Sequence, residues 1–314
     1  MGRRTLDSPR YADEGGGVLK FTILTPSYNQ GAFLERNIDS VRNQDVAGTQ
    51  HIICDGGSKD NTVEILKKHS NHLGYWVSEP DGGQTPALNK GLAKAENEIL
   101  GWLNVDEYYE PNIFARVAKL FEADPKLVMV YGDFNRVKAD GSLIRRNRQW
   151  RFDYDVCQIQ TPIVMNCAAF FRRSRVVECG GFNEKYKYVM DWEFYIRLMK
   201  EHERNWKRIP AVLGNFTMHP DSKTAKDDSK FNAEIAQLRQ SVFPDLTKEQ
   251  IEARRLHQLK RMKWHIIKDG LMLEKVYFAI VRRRHFDDYY GSPTKRRPFI
   301  TPLLDIIDPV KKSS

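Results

Sequence analysis

The sequence predicts an α/β fold, in which helices flank a mostly parallel sheet and a helical extension follows at the C-terminus. Between residues 18 and 107, short apolar segments rich in β-branched residues alternate with segments of helical periodicity. Each apolar segment ends at a loop of Pro, Gly, Asn or Asp residues. Such repeated β-loop-α units pair their strands in parallel, with helices on both faces. The helical spacing of apolar and basic residues from about residue 227 onward predicts the extension.

The first half of the chain contains the clearest elements. Residues 18–25 are β-branched and aromatic and stop before Pro26, which predicts a strand followed by a turn. Residues 32–43 then place apolar side chains at helical spacing, and Asp60 is a suitable N-cap for the next helix. The other strands predicted in this half are 51–54, 75–78 and 98–103, and the other helices are 62–69 and 85–95.

The second half predicts a less regular succession. Asp140-Gly141 lies between two strand-like segments, 127–136 and 142–148, and predicts a hairpin. The apolar segment 166–171 predicts a buried strand, and 206–218 predicts a strand or a hairpin. The helices predicted here are 111–123, 174–179, 191–201 and the long helical pattern from 227, whose apolar stripe runs from Ile251 to Val281.

Polar residues follow each predicted strand of the first half. These residues are Tyr28 and Asn29, Asp55, Asp81 and Asp106. Because ligands of open α/β sheets bind beyond the carboxyl ends of the strands, we expect the four loops to converge on one rim. Three of the four loops present an Asp, which favours a cation or a ligand rich in hydrogen-bond donors.

The stretch 101–109 follows the fourth predicted strand and contains Asn104, Asp106 and Glu107. Two carboxylates and an amide form a set of hard oxygen ligands, suited to Mg²⁺ or Mn²⁺ held against a diphosphate. The same residue types are also typical of a helix N-cap or a solvated loop, so this stretch alone does not decide between the two.

Composition and missing motifs exclude several classes of protein. The four cysteines form no CxxC pair and no Cys/His zinc spacing, which favours a reducing cytosol and argues against a disulfide framework. No apolar run approaches the roughly 18 residues that span a bilayer, and residues 1–17 lack the apolar segment of a signal peptide. GxGxxG, GxxxxGK[ST], HExxH and GxSxG motifs are missing. Residues 225–314 hold 19 Lys/Arg against 12 Asp/Glu and so carry +7 of the net charge of +9.

Five motifs, taken together and in order, resemble the glycosyltransferase family 2 enzymes of the GT-A fold, a Rossmann-like nucleotide-diphospho-sugar transferase architecture. The resemblance covers roughly residues 20–224 and implies an inverting transferase that uses a nucleotide-activated sugar, usually UDP-linked, with a divalent metal, Mn²⁺ or Mg²⁺. The motifs are Thr25-Pro26-Ser27-Tyr28-Asn29-Gln30, Asp55-Gly56-Gly57-Ser58-Lys59-Asp60-Asn61-Thr62, Ser78-Glu79-Pro80-Asp81-Gly82-Gly83-Gln84, Asn89-Lys90-Gly91 and Gly101–Glu107.

The resemblance implies roles for the residues of the rim. Asp55 would accept a hydrogen bond from the N3–H of uracil, and Asp106 would bind the metal in a DxD motif whose first position is Asn104. The residues implied to contact the nucleotide sugar are Pro26, Tyr28, Asn29, Asp55, Gly56, Asp81, Lys90, Asn104, Val105, Asp106 and Lys223.

The resemblance also assigns two segments farther along the chain. Asp191, in Met190-Asp191-Trp192-Glu193, would be the general base, and His219 would be a metal ligand in the closing loop that carries Lys223. From the residues alone, Asp191 is equally typical of a helix N-cap, and His219 and Lys223 of surface loop positions.

The predicted organisation is a flexible leader (1–17), a catalytic domain (18–224) with a nucleotide-binding half (18–107) and an acceptor half (108–224), and a basic helical extension (225–314). We expect a nucleotide-sugar donor and a sugar or lipid-linked acceptor, in polysaccharide or glycoconjugate biosynthesis. A cytoplasmic location with peripheral contact between the extension and an anionic membrane fits the charge; the alternative is a helix packed on the catalytic domain with its basic face in water.

Two other functions stay open. One is a glycosyltransferase that acts on nucleic acid or protein through the basic tail, although acids crowd the rim where phosphates would lie, so nucleic acid is not the expected partner. The other is a catalytically inactive GT-A binding module, which the atypical Asn104 and Glu107 would suit.

Overall fold

The computed structural model describes residues 19–149, 152, 154, 157, 164–200, 202, 204–219, 228–242, 247, 249, 250 and 253. The chain divides into a compact unit, Met1–Thr247, and a second unit, Lys248–Ser314. The predicted leader, the 224/225 boundary, Lys223 and nearly all of the apolar stripe from Ile251 therefore lie outside the described residues. No helix in the described part is long and apolar enough to cross a bilayer.

A single sheet of nine strands organises the first unit. Its order is β3-β2-β1-β4-β8-β6-β9-β5, with β7 paired to β6. The strands are β1 (Phe21–Ser27), β2 (Gln50–Asp55), β3 (Tyr75–Ser78), β4 (Ile99–Trp102), β5 (Tyr108–Tyr109), β6 (Met129–Lys138), β7 (Leu143–Asn147), β8 (Ala169–Arg172) and β9 (Trp206–Met218). The helices are α1 (Gly31–Arg42), α2 (Thr62–Lys68), α3 (Gln84–Leu92), α4 (Phe114–Ala123), α5 (Arg173–Glu178), α6 (Met190–Met199) and α7 (Asp228–Val242).

The first four strands are parallel, as the β-loop-α pattern predicts. β1 pairs with β2 on one side and β4 on the other, and β2 pairs with β3. The register aligns Ser27 with Asp55 and Asp55 with Ser78. The ends of these three strands are therefore level, which confirms that their loops meet at one edge of the sheet.

Beyond β4 the sheet is mixed. β8 is antiparallel to both β4 and β6, while β6 is parallel to β9. β6 and β7 form the predicted hairpin, with Gly141 at a φ of 87° in its turn. The sheet is thus parallel in the predicted nucleotide-binding half and gains antiparallel pairs where the acceptor half begins.

Helices cover both faces of the sheet, as predicted. Because successive side chains of a strand point to opposite faces, β1 buries Phe21 and Ile23 on one face and Leu24 on the other. The first face packs against α4 through Phe114, whose ring stacks on Phe21 at 4.2 Å. The second face packs against α3 and α6. All four cysteines are described, and none forms a disulfide.

The structure differs from the sequence prediction at three elements. β1 continues through Pro26 and Ser27, because its pairing with β4 ends at Leu24 and no donor is needed from Pro26 on that side. The predicted strand 166–171 begins as a 3₁₀ turn, Asn166–Ala168, and becomes extended only at Ala169. The short strand β5, antiparallel to β9, was not predicted.

One buried cluster joins the two ends of the segment between Gln149 and Met165. The Gln149 side chain accepts a hydrogen bond from the Met165 backbone N–H at 2.5 Å. Its own backbone N–H donates to Asp133 at 3.1 Å, and Arg208 pairs with Asp133 and donates to the Gln149 carbonyl. The chain therefore leaves and re-enters the sheet at one fixed point.

Candidate active site

Asp55 shapes the loop at the end of β2. It is fully buried, and one carboxylate oxygen accepts hydrogen bonds from the Ser58 backbone N–H at 2.9 Å and the Ser78 hydroxyl at 2.7 Å. The other oxygen accepts the Ser58 hydroxyl at 2.5 Å. Most of its acceptor capacity is used within the protein, and Oδ1 keeps one acceptor position.

Tyr28, Gly56 and Asp81, all predicted to bind the nucleotide, lie together on the rim. A Cβ atom built on Gly56 would lie 3.0 Å from Oδ1 of Asp81 and 3.2 Å from the Tyr28 ring. Tyr28 is 61% exposed, so its ring is available to a ligand. The missing side chain at Gly56 lets the Tyr28 ring and the Asp81 carboxylate both approach the backbone of this loop, so an aromatic ring and a carboxylate lie close together on the rim.

Asn29 and Lys90 complete this side of the rim. Asn29 has a positive φ of 50°, and its side-chain oxygen accepts a hydrogen bond from the Lys59 backbone N–H at 2.8 Å. Lys90 pairs with Glu79 at 2.7 Å, and the hydrogen bond from that partner raises the pKa of the Lys90 ammonium. Lys90 is therefore a stable cation beside the Asp81 loop.

Asn104 faces the protein with its carbonyl oxygen. That oxygen accepts hydrogen bonds from Trp102 Nε1 at 2.9 Å and from Gln84 Nε2 at 2.7 Å. An indole N–H only donates, so the atom that faces it must be the amide oxygen. The oxygen of Asn104 is thus engaged within the protein, and its NH₂ group, which has two hydrogens, also donates to the Glu107 carboxylate.

The two neighbouring acids of this loop, Asp106 and Glu107, point in different directions. Glu107 is buried, and its Oε2 accepts hydrogen bonds from the Asn104 backbone N–H at 2.9 Å and from Asn166 Nδ2 at 2.6 Å. Burial, and next the charge of Asp106, raise the pKa of Glu107 well above its usual range. Glu107 therefore supports the loop from beneath, and Asp106 alone points toward the rim.

Asp106 and His219 form the candidate metal pair. His219 Nε2 lies 2.9 Å from Asp106 Oδ2, and both side chains are largely shielded from solvent. The His219 ring packs on Phe33, with 4.9 Å between the ring centroids, which fixes its orientation. An imidazole nitrogen and a carboxylate oxygen at this separation fit two positions of one Mn²⁺ or Mg²⁺ ion. Among the described residues, no group of three His, Cys, Asp or Glu side chains could hold a metal, so this part of the chain supplies a pair of ligands.

Asp191 lies in the first turn of α6. The helix begins at Met190 and its N-cap residue is Val189, so the N-cap alternative for Asp191 is wrong. Burial raises the pKa of the Asp191 carboxyl to about 6, although Oδ1 accepts the Trp192 backbone N–H at 2.8 Å. A carboxyl group with such a pKa can take up a proton near neutral pH, as a general base must.

The α6 N-terminus is linked to the Asn104 loop through α3. Thr85 donates its hydroxyl to the Tyr186 carbonyl at 3.2 Å and contacts the sulfur of Met190 at 3.1 Å. The neighbouring residue, Gln84, holds Asn104. This contact series brings Asp191 to the same region as the Asp106 loop. Gln84, which the sequence prediction quoted in a motif without giving it a role, holds the Asn104 side chain of that loop.

Known proteins resemble this chain in sequence and in fold. The profile of "Glycosyl transferase family 2" matches residues 22–180. Chondroitin synthase of Pasteurella multocida is 29% identical over 208 residues, which cover 66% of this chain but only 21% of that protein. The chain thus spans about a fifth of the length of this curated relative.

Two solved structures share the fold. S. aureus TarS 1–349 in complex with UDP-GlcNAc superposes with a TM-score of 0.59 at 17% identity, over 90% of this chain and 78% of that one. The mannosyltransferase PcManGT from Pyrobaculum calidifontis, in complex with GDP-Man and Mn²⁺, gives a TM-score of 0.52 at 20% identity, over 76% of this chain and 69% of that one. The profile match covers just over half of the chain, and the fold is the GT-A fold that the motifs predict. The chain belongs to glycosyltransferase family 2.

Proposed function

We propose that the protein is an inverting glycosyltransferase that moves a sugar from a nucleotide-diphosphate donor, most simply a UDP-sugar, to an acceptor hydroxyl in polysaccharide or glycoconjugate biosynthesis. The observation that carries the proposal is the Asp106–His219 pair at 2.9 Å on the same rim as the group formed by Tyr28, Gly56 and Asp81. The UDP-GlcNAc held by TarS and the name of the chondroitin synthase support this class of donor and product.

The donor would lie across the parallel half of the sheet. Tyr28 offers a ring for the base, and the remaining acceptor position of Asp55 suits the uracil N3–H. The Asn104 NH₂ would donate to the ribose or to a metal-bound water, with Pro26, Asn29, Val105 and Lys90 lining the same loops. Lys223 would approach the diphosphate from the closing loop. A divalent ion held by Asp106 and His219 would supply charge to the leaving diphosphate.

The acceptor would be activated by Asp191. Its carboxylate takes the proton of the acceptor hydroxyl as that oxygen attacks the anomeric carbon and the bond to the diphosphate breaks. One base opposite the leaving group gives a single displacement, and hence inversion of configuration. A double displacement would need a second carboxylate on the reacting face, and Glu107, the nearest acid in sequence to Asp106, is turned into the core.

The proposal is tested with the full chain in two steps. Thermal shift with a panel of UDP-, GDP- and dTDP-sugars, with and without Mn²⁺, identifies the donor, since a ligand of the native state raises the midpoint. Turnover of that donor is then measured for wild type, Asp106→Ala and Asp191→Asn, with Asp140→Asn, an exposed carboxylate in the hairpin turn, as the control. We expect losses of at least about 100-fold for the first two variants and none for the control. Turnover unaffected by both changes would overturn the proposal and leave a binding module.

We also propose that the basic residues 225–314 bring the enzyme to an anionic membrane surface, where a lipid-linked acceptor would be available. The charge of +7 in this part of the chain supports that contact.

A further inference from the structure

Helix α7 is the last helix described in the first unit. Its residue Glu234 binds the segment that leads into α6. Its carboxylate accepts hydrogen bonds from three consecutive backbone N–H groups: Lys187 at 3.0 Å, Tyr188 at 2.7 Å and Val189 at 3.1 Å. Asp191 follows only two residues after Val189. The first N–H groups of a helix and those just before it lack partners within the helix, and a carboxylate there is favoured by the helix dipole as well.

Three further contacts hold α7 against the same segment. Leu238 is fully buried in the core cluster that contains Trp192. The Ser241 hydroxyl lies 2.9 Å from the hydroxyl of Tyr186, and the Arg239 guanidinium lies 5.7 Å from the centre of the Trp192 ring. Residues 234, 238 and 241 lie on one face of α7, and together with Arg239 they contact the chain on both sides of Asp191.

We propose that Glu234 is a positioning residue for the transfer reaction: by fixing the backbone of residues 187–189 it holds the first turn of α6 and, through that turn, the direction of the Asp191 carboxylate. The proposal rests on the proposed role of Asp191 as the base. α6 and α7 both lie beyond residues 22–180, the part that the family profile matches. The C-terminal helix would thus contribute to the reaction without touching the substrate.

The geometry gives the proposal a specific energetic basis. Loss of the carboxylate leaves three N–H groups at the start of α6 without their partner, so the first turn can fray or shift. A displacement of about 1 Å of a reacting group costs on the order of 100-fold in rate. The nucleotide loops follow β1, β2, β3 and β4, whereas within the described part of the chain the Glu234 carboxylate hydrogen-bonds residues 187–189, so binding of the nucleotide should not depend on this residue.

The test compares Glu234→Ala, Glu234→Gln and Ser241→Ala in the full chain. We expect Glu234→Ala to lower kcat at least about 10-fold while the Kd for UDP with Mn²⁺, measured by calorimetry, changes less than about 2-fold. Glu234→Gln should recover most of the rate, because an amide oxygen in the place of Oε2 still accepts from Tyr188 and Val189. Ser241→Ala removes another contact of the same helix and should keep kcat within about 2-fold.

A merely structural role of Glu234 would give a different pattern. It would lower the UDP affinity, the thermal midpoint and kcat together. A positioning role also shifts the acid limb of the pH profile of kcat to lower pH, because a loosened turn admits water to Asp191 and lowers the pKa of its carboxyl. Wild-type kcat in Glu234→Ala, or a parallel loss of kcat and UDP affinity, overturns the proposal. If the Ala variant does not fold, Glu234→Asp replaces it: the shorter carboxylate withdraws from the three N–H groups, and an unchanged kcat there has the same meaning. Wild-type turnover in Asp191→Asn would instead refute the role of Asp191 as the base, on which this proposal rests, and is distinguishable from wild-type kcat in Glu234→Ala.

Discussion

At the scale of single residues, the partly buried position of Asp191 sets the pH at which the enzyme should work. Its pKa of about 6 lies above that of an ordinary Asp, so the carboxyl keeps its proton to higher pH. A base must be deprotonated, and kcat should therefore rise with pH through about 6 and fall about tenfold per pH unit below it. The measurement is kcat at saturating donor from pH 4.5 to 8. A rate that stays level down to pH 4.5 would contradict the role of Asp191.

Asn104 permits a second prediction at this scale. Because Trp102 and Gln84 hold its oxygen, Asn104→Asp places a second carboxylate oxygen where the NH₂ group now lies, two residues from Asp106. We expect tighter Mn²⁺ binding in the presence of UDP, on the order of tenfold. Titration of free Mn²⁺ by electron paramagnetic resonance measures it, and Asn104→Ala, which adds no ligand, is the control. Equal Mn²⁺ affinity in Asp and wild-type proteins would show that position 104 does not face the ion.

The neighbours Asp106 and Glu107 show what the sequence can and cannot predict about side chains. The position of the pair after β4 was predictable, because strand ends define the rim. Their separation was not, since it depends on Asn166, which is distant in the chain and donates to Glu107. Likewise, the sequence around Glu234 does not predict that its carboxylate accepts hydrogen bonds from three backbone N–H groups.

At the scale of secondary structure elements, Asn37 joins α1 to the Asn104 loop. It is fully buried, and its amide donates at 2.9 Å to the backbone carbonyls of both Asn104 and Glu107. Asn37→Ala leaves both carbonyls without this donor. We expect the free energy of unfolding to fall by about 1–3 kcal/mol for each carbonyl that no water molecule then hydrogen-bonds. Urea unfolding checks this, with the exposed Asn71→Ala, expected within about 0.5 kcal/mol of wild type, as the control. Equal midpoints for the two variants would mean that water replaces the amide.

Most helices and strands were predictable because their periodicity is local. The exceptions depend on contacts between distant segments. The 3₁₀ turn at Asn166–Ala168 places the Cys167 carbonyl so close to Gly214 of β9 that a Cβ atom there would lie 1.9 Å from the oxygen. β5 exists only because β9 offers it an edge, and a two-residue strand has no periodicity of its own.

At the scale of the whole molecule, the uneven charge predicts salt-dependent membrane binding. The full chain should float with phosphatidylglycerol vesicles at about 0.05 M salt and be released at about 0.5 M, because screening shortens the range of the attraction. Replacing Arg282, Arg283 and Arg284 by Ala should weaken binding, by about 1 kcal/mol for each charge. Replacing Arg116 and Lys119, exposed on α4, is the control. No flotation at low salt would remove the membrane contact from the proposal.

The order of all nine strands in the sheet could not be predicted from the sequence. The β-loop-α repeats predict the four parallel strands, because a helix that crosses over the sheet returns the chain to start a strand in the same direction. The pairing of β8 between β4 and β6 has no such local rule, and it is the step that joins the two halves into one sheet.

The bond between Gln149 and Met165 has a consequence for how such enzymes diversify. The 15 residues between them begin and end at one point, which Asp133 and Arg208 hold to the sheet. Closing a longer loop costs only about 0.6 kcal/mol for each doubling of its length. Evolution can therefore lengthen this segment while the strands that lead to Asp106 and His219 keep their registers, provided that Phe152, Cys157 and Val164 keep their buried places in the core. A protein engineer who grafts the corresponding segment of another transferase can join it at Gln149 and Met165, and should retain these three core residues.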